Sequence, residues 1–443
     1  MKEIFKNHKT HHISLLLLAG PMILSNISVP LLGLVDTAVI GHLSEAHFLA
    51  GIALGSGSIS LLFWLASFLR MSATGVLAQS YGAKNWPRLQ QQLLASLLIA
   101  WTFSISLIFL SPWLLDAIKA LSNASPDVFT QAQSYFEIRI FSAPAAMTNL
   151  VLLGLMLGMQ YGKGPFYLLL FTNITNILLD ILFVIGFDWQ VAGAAWASVI
   201  ADYTALLVAI LLIKKQLAKQ QVNWRWLLPN KAQFLALLSL NRDIFIRSLL
   251  LQLCFSFMTF YGARMGETTL AVNAVLLNFL MLVSFALDGI AYAAEAKVGQ
   301  AKGEGSEAKV KIWVNLSLFW GALFALLYSL VFAVFGLSIV KLLTNIPEVI
   351  SASKTYLFWL ILLPLLAMWC FIFDGIFVGL TRAQDMRNSM FFSAIFGFMV
   401  PLWLTLEHEN HGLWFAMSCF MLLRGVTLAY RYRQIQRQGL LLQ

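Results

Sequence analysis

The chain has 443 residues, 60% of them hydrophobic and only 11% charged, with a formal net charge of +9. A soluble domain carries about 25% charged residues, so this composition excludes a water-soluble globule and makes lipid the solvent. The basic excess lies in short segments between apolar runs, which reports membrane topology rather than a nucleic-acid footprint.

A span needs about 20 apolar residues. Twelve such runs are expected, at 13–40, 46–69, 89–115, 140–159, 166–186, 191–213, 244–262, 268–290, 312–340, 355–380, 389–406 and 412–430. The chain therefore reads as an all-α integral membrane protein of twelve transmembrane helices.

The opening "MKEIFKNHKTHH" is basic, and no small-residue cleavage site follows its apolar run, so the first span is expected to be retained. His8, His11 and His12 have no ligand partners at finger-like spacing and read as a solvated tail, with no metal bound. The first span holds Gly20, Pro21, Pro30 and Gly33, and a proline inside a helix removes a backbone hydrogen bond and kinks it. It also holds Asp36, although a carboxylate at membrane depth costs roughly 2.5–3.5 kcal/mol even on insertion scales.

The fifth span, "FTNITNILLDILF", puts Asn173, Asn176 and Asp180 at i, i+3 and i+7, one stripe of a helix. Two amides and a carboxylate on one face do not suit lipid, so this stripe is expected to face a partner helix or a cavity. Asp180 lies about 22 Å past the start near Pro165 at 1.5 Å per residue. Asp36 is also late in its span, so both acids fall in the outer half of the bilayer and can meet. Two neighbouring carboxylates in low dielectric disfavour double ionisation and hold a proton between them. In the sixth span Ser198 and Asp202 share a face, and Asp202 reads as a packing residue before a functional one. In the eighth, Asp288 and Glu295 are seven apart on one face; the tenth holds Asp374.

The chain also repeats. "LAQSYGAKN" with Gly82 and "KVGQAKGEG" with Gly303 stand 221 residues apart, as do Gly158 in "LGMQYG" and Gly379 in "VGLTRA". These glycines read as helix ends and tight turns. The expected organisation is two pseudo-symmetric six-helix lobes, 1–213 and 243–443, joined by a basic cytoplasmic linker, 214–242. At this offset Asp36 maps to Phe257, Asp180 to Pro401, Asp288 to Ser67 and Asp374 to Leu153. No acid has an acidic twin, which favours a functional role over a scaffold role. With both termini inside, 24 of the 29 Lys and Arg residues fall in cytoplasmic segments. Cys254, Cys370 and Cys419 sit in separate apolar spans, which argues against a disulfide framework.

The stretches "LAGPMILSNISVPLLGLVDTAVIGHL", "RMSATGVLAQSYGAKN", "NILLDILFVIG" and "DGIAYAAEAKVGQAKG" resemble the multidrug and toxic compound extrusion (MATE) transporters, specifically the DinF-like branch. The resemblance implies the MATE fold, with a central cleft opening alternately to each side, in a bacterial inner membrane. It implies a monomeric secondary active exporter of small-molecule drugs, often cationic, coupled to H⁺ or Na⁺ without a cofactor. On this resemblance Asp36 is the protonation site of the first span, linked to Asn176, Asp180 and Ser198, with Pro21 at the bend. The substrate cavity would be lined by Asp36, Asn173, Asn176 and Asp180, with Asp288, Glu295 and Asp374 as second-lobe candidates. NorM-like members carry a seventh-span glutamate that helps bind Na⁺; here "LLLQLCFSF" has only Gln252, while Asp374 is retained. That departure favours H⁺, with Na⁺ as the alternative. A lipid-linked oligosaccharide flippase would need basic residues lining its cleft. An intramembrane aspartyl protease would need paired aspartates on adjacent spans and leaves the repeat unexplained.

Overall fold

The computed structural model describes residues 9–40, 46–122, 124–222, 224–225 and 227–443, without the side chains of 28–40 and 46. Its first helices are α1 (Lys9–Ile40), α2 (Ala46–Leu65), α3 (Phe68–Gly82), α4 (Trp86–Ser122) and α5 (Pro126–Arg139). A single 3₁₀ turn, Ile140–Ser142, joins α5 to α6 (Ala143–Gly158). Then come α7 (Lys163–Asp180), a π-helical segment (Ile181–Gly186), α8 (Gln190–Lys219), α9 (Lys231–Arg264), α10 (Glu267–Gly303), α11 (Glu307–Leu343) and α12 (Pro347–Gly379). The chain ends with α13 (Ala383–Phe392), a second π segment (Ser393–Met399), α14 (Val400–Leu404), a 3₁₀ turn and α15 (Glu409–Arg437).

Among the described residues there is no strand, and eleven helices are long and apolar enough to cross a membrane. The expected run 389–406 corresponds to α13, its π segment and α14, where polar residues in "AQDMRNS" lower the hydropathy below that of the eleven. The fourth span is longer than its apolar run. It begins at Pro126, not at residue 140, because polar "TQAQSYFEIR" continues the helix behind the Ser125 cap, whose hydroxyl accepts from Val128 N. Large apolar side chains such as Ile105, Phe109 and Leu211 are exposed, as hydrocarbon-facing residues must be.

The chain forms two compact units, Leu24–Leu238 and Met1–Ile23 with Ser239–Gln443. The first part of α1 thus groups with the second unit. His12 is buried there, its Nδ1 accepting from Trp320 Nε1 at 3.1 Å, and the His11 ring packs against Trp313. This corrects the expectation of a solvated tail for His11 and His12: an indole donor and aromatic faces bury His12 and leave His11 half-buried. His8 lies outside the described residues.

The repeat survives in backbone detail. After α3, the N–H groups of Ala83, Lys84 and Asn85 donate to the carbonyls of Gln79, Tyr81 and Ser80; after α10, those of Glu304, Gly305 and Ser306 donate to Gln300, Lys302 and Ala301. Every partner is displaced by 221. After α6 and α12 the same triplet recurs, from Met159, Gln160 and Tyr161 and from Leu380, Thr381 and Arg382. Each is a helix C-terminus closed by a left-handed residue: Lys84 (φ 52°) and Gly305 (φ 70°), Gln160 (φ 62°) and Thr381 (φ 56°). Even the next helix caps match, Asn85 Oδ1 accepting from Arg88 N and Ser306 Oγ from Lys309 N. Gly82 and Gly303 are the last helical residues, so the turn is made two residues beyond them.

Gly158 and Gly379 have a different role from the turns expected of them. A Cβ on Gly158 would lie 2.9 Å from Ala78 N, and one on Gly379 would lie 3.0 Å from Gly299 N, again 221 apart. One turn earlier, Gly154 faces Arg70 O at 2.8 Å and Gly375 faces Ala291 O more closely still. Each lobe thus holds a G-x-x-x-G seam that lets α6 press on α3 and α12 on α10, the small-residue contact that drives packing where lipid removes the hydrophobic driving force.

Candidate functional site

The polar stripe of the fifth span is α7. Asn176 and Asp180 are each 4% exposed and Asn173 is half-buried, while Ile174, Leu178 and Ile181 on the other sides are 46% exposed or more. The stripe therefore turns from lipid into protein. Ser198, one turn into α8 from its buried Val191–Ala195 start, meets it. With its oxygen facing Ser198 and its nitrogen facing Asp180, the Asn176 amide accepts from the Ser198 hydroxyl at 3.1 Å and donates to Asp180 Oδ2 at 3.3 Å. An amide between a hydroxyl and a carboxyl relays any change in the carboxyl's hydrogen-bonding state to α8. Asp180 is also the last α-helical residue before the π segment, a form of helix that concentrates at functional positions.

Asp36 belongs to α1, but its side chain lies outside the described residues. The helix runs unbroken through Pro21, which is half-buried. Asp288 is half-buried and Glu295 buried on α10, seven residues apart as read from the sequence. Among the described residues no group of three or more His, Cys, Asp and Glu is placed to hold a metal ion.

Two of the intramembrane acids, Asp202 and Asp374, are ion-paired with arginines, which helical spacing alone did not foretell. Asp202 Oδ2 accepts from Arg139 Nη1 at 2.7 Å, at the junction of α5 with the 3₁₀ turn. Arg139 also bonds to Ser142 Oγ and lies 5.2 Å from the Phe63 ring centroid, while Asn149 Nδ2 donates to the Asp202 carbonyl at 3.0 Å. Asp374 Oδ2 accepts from Arg424 Nη2 at 2.8 Å and from Arg247 Nη2. The mixed charge in "EIR" was the signal for Arg139. Arg247 gave none, because its partner is 127 residues away.

The MatE family model matches residues 21–182 and 244–403, most of both repeats. DNA damage-inducible protein F of Escherichia coli (strain K12) is 46% identical over 426 residues, 95% of this chain and 92% of that protein. Multidrug and toxin extrusion protein 1 of Danio rerio is 29% identical over 340 residues, 72% of this chain and 54% of that one. A solved outward-facing multidrug resistance MATE family transporter of the MOP superfamily shares the fold at TM-score 0.87, covering 96% of each chain at 17% identity. With both repeats matched and the bacterial relative aligned nearly end to end, the chain belongs to the MatE family of multidrug and toxin extrusion transporters.

Proposed function

We propose that this transporter exports organic compounds, cations among them, in exchange for H⁺, by alternating access in a bacterial inner membrane with both termini cytoplasmic. The observation that carries this reading is the Asn176–Asp180–Ser198 cluster, in which Asn176 and Asp180 are buried. A carboxyl there can take a proton, and the amide passes the change to α8. Asp36 is the first protonation site and Pro21 the point at which α1 yields. A cation and a proton that compete for the same carboxyls are exchanged rather than co-transported. Asn173 completes the polar lining of that cavity. The lobes are assigned to 1–213 and 243–443 with linker 214–242, and the protein acts as a monomer without a cofactor.

H⁺ is favoured over Na⁺ because Asp374, the retained second-lobe acid, already holds two guanidinium groups in the place a metal cation would take. Asp288 and Glu295 remain the other second-lobe candidates. The test is dye efflux from proteoliposomes with pH and sodium gradients imposed separately. A pH gradient alone should drive efflux and a sodium gradient alone should not; the reverse result assigns Na⁺ and refutes the proton reading.

A further inference from the structure

Between Asp202 and Asp243 the chain has no acid. Within that stretch Lys214, Lys215 and Lys219 end α8, Arg225 follows, and Lys231 opens α9. All five are exposed, and none has an ion-pair or hydrogen-bond partner for its side chain among the described residues. The stretch is tied to the corner between α3 and α4: Gln91 Nε2 donates to Leu228 O at 3.3 Å and Gln220 Nε2 to Tyr81 Oη at 3.4 Å. Lys84 and Arg88 at that corner are exposed too, again without a side-chain partner among the described residues. One face of the Leu24–Leu238 unit therefore gathers cations that no acid of the chain answers.

The corresponding face of the other unit is different. There Glu304, Glu307 and Asp385 hold Lys309, Lys311 and Arg431. At the 221-residue offset these three acids fall on Ala83, Trp86 and Gly164. The positive-inside bias does not demand this asymmetry, because Asp and Glu contribute little to it.

The unanswered lysines also continue faces made of exposed leucines. On α8, Leu207, Leu211 and Lys214 stand at i, i+4 and i+7; on α9, Lys231, Leu235 and Leu238 do the same. Lysine on such a stripe lays its stem along apolar surface and lifts its ammonium to the polar layer. A soluble acidic partner would match the charge and leave the leucines in water.

We propose that the ends of α8 and α9, with the corner between α3 and α4, form a docking surface for the headgroups of anionic phospholipids, whose acyl chains lie along the leucine stripes. The inference rests on the reading of both termini as cytoplasmic, which puts this surface in the inner leaflet.

Native mass spectrometry of the purified full-length protein reads the binding. Phosphatidylglycerol and phosphatidylcholine with identical acyl chains are titrated separately. Wild type should hold phosphatidylglycerol about tenfold more tightly or better, since each basic residue at a membrane surface is worth about fivefold. A variant carrying Lys214→Gln, Lys215→Gln and Lys231→Gln should lose most of that preference. A variant carrying Lys309→Gln, Lys311→Gln and Arg431→Gln removes the same charge from the other unit and should keep it within about twofold. The proposal is overturned by no headgroup preference in wild type, by an unchanged preference in the first variant, or by an equal loss in the second. Lysine-dependent binding of a polyglutamate peptide by a protein without headgroup preference would assign the surface to an acidic protein instead. The topology is read separately, with a membrane-impermeant maleimide on Ala218→Cys in the exposed end of α8. Labelling above the wild-type background should require broken cells; labelling in intact cells would refute the topology and the inner-leaflet assignment, whatever the headgroup preference.

Discussion

Gly375→Ala places a methyl group where α12 meets α10. The nearest atoms are backbone: a Cβ there would overlap Ala291 O and lie 2.9 Å from both C and Cα of Ala291, against an ordinary contact of 3.4–4 Å. Relief requires the helices to part by about 0.5–1 Å, which forfeits a quarter to a half of the attraction at each contact along the seam. Overpacking of this kind costs about 1–3 kcal/mol. Gly154→Ala meets Ala73 Cβ and Arg70 O at 2.8 Å and should cost a similar amount in the other lobe. Gly57, exposed within α2 with nothing within 4 Å of its built Cβ, is the control. There alanine should stabilise by about 0.4–1 kcal/mol, because it restricts the unfolded chain and suits the helix better. Thermal unfolding of the three purified variants in one detergent checks the set: Tm should fall for the first two and rise for Gly57→Ala. A Gly375→Ala variant at or above the wild-type Tm would refute the seam argument.

Arg139→Gln should destabilise by about 1–3 kcal/mol by leaving half-buried Asp202 unmatched, whereas Arg139→Met with Asp202→Leu should recover most of the loss; an equal Tm for the two variants would contradict this. Asp36→Asn and Asp180→Asn should each abolish pH-driven dye efflux, with protein levels in the membrane unchanged, and retained efflux in either would remove that residue from the coupling. On the proposed proton coupling, efflux should grow with the inward pH difference and vanish when it is collapsed, as a pH-sensitive dye inside the vesicles would report; efflux that ignores the pH difference would refute it. Maleimide should modify half-buried Cys419 before buried Cys254 and Cys370 in the folded protein, since access limits thiol reaction; prior labelling of Cys370, read by mass spectrometry, would contradict the packing around Asp374.

Much of the architecture was legible because lipid imposes a simple rule on sequence: a long apolar run is a span. The rule failed where polar residues are satisfied by distant partners. Residues 126–139 look like a loop because Glu137 and Arg139 interrupt the hydropathy, yet Asp202, 63 residues on, neutralises Arg139 and the helix continues. The α7 stripe was readable because helical spacing alone puts Asn173, Asn176 and Asp180 on one face. The second-lobe cluster was not, because Arg247 looks like one more cytoplasmic cation until α12 and α15 are packed against it. The glycines disclosed the repeat through their numbering, but their packing role needed the opposing backbone.

The matched corners after α3 and α10, and after α6 and α12, bear on how such a chain diverges. A left-handed backbone disfavours a non-glycine residue by roughly 1–2 kcal/mol, yet three of the four corners carry Lys84, Gln160 and Thr381. The flanking helices dictate the path, so the residue at the bend can drift toward whatever charge the membrane surface favours. A Cβ facing a neighbour's carbonyl has no such freedom. Ancient doubling in helical membrane proteins should therefore be sought in the spacing of interfacial glycines rather than in the hinges that look most conspicuous in an alignment.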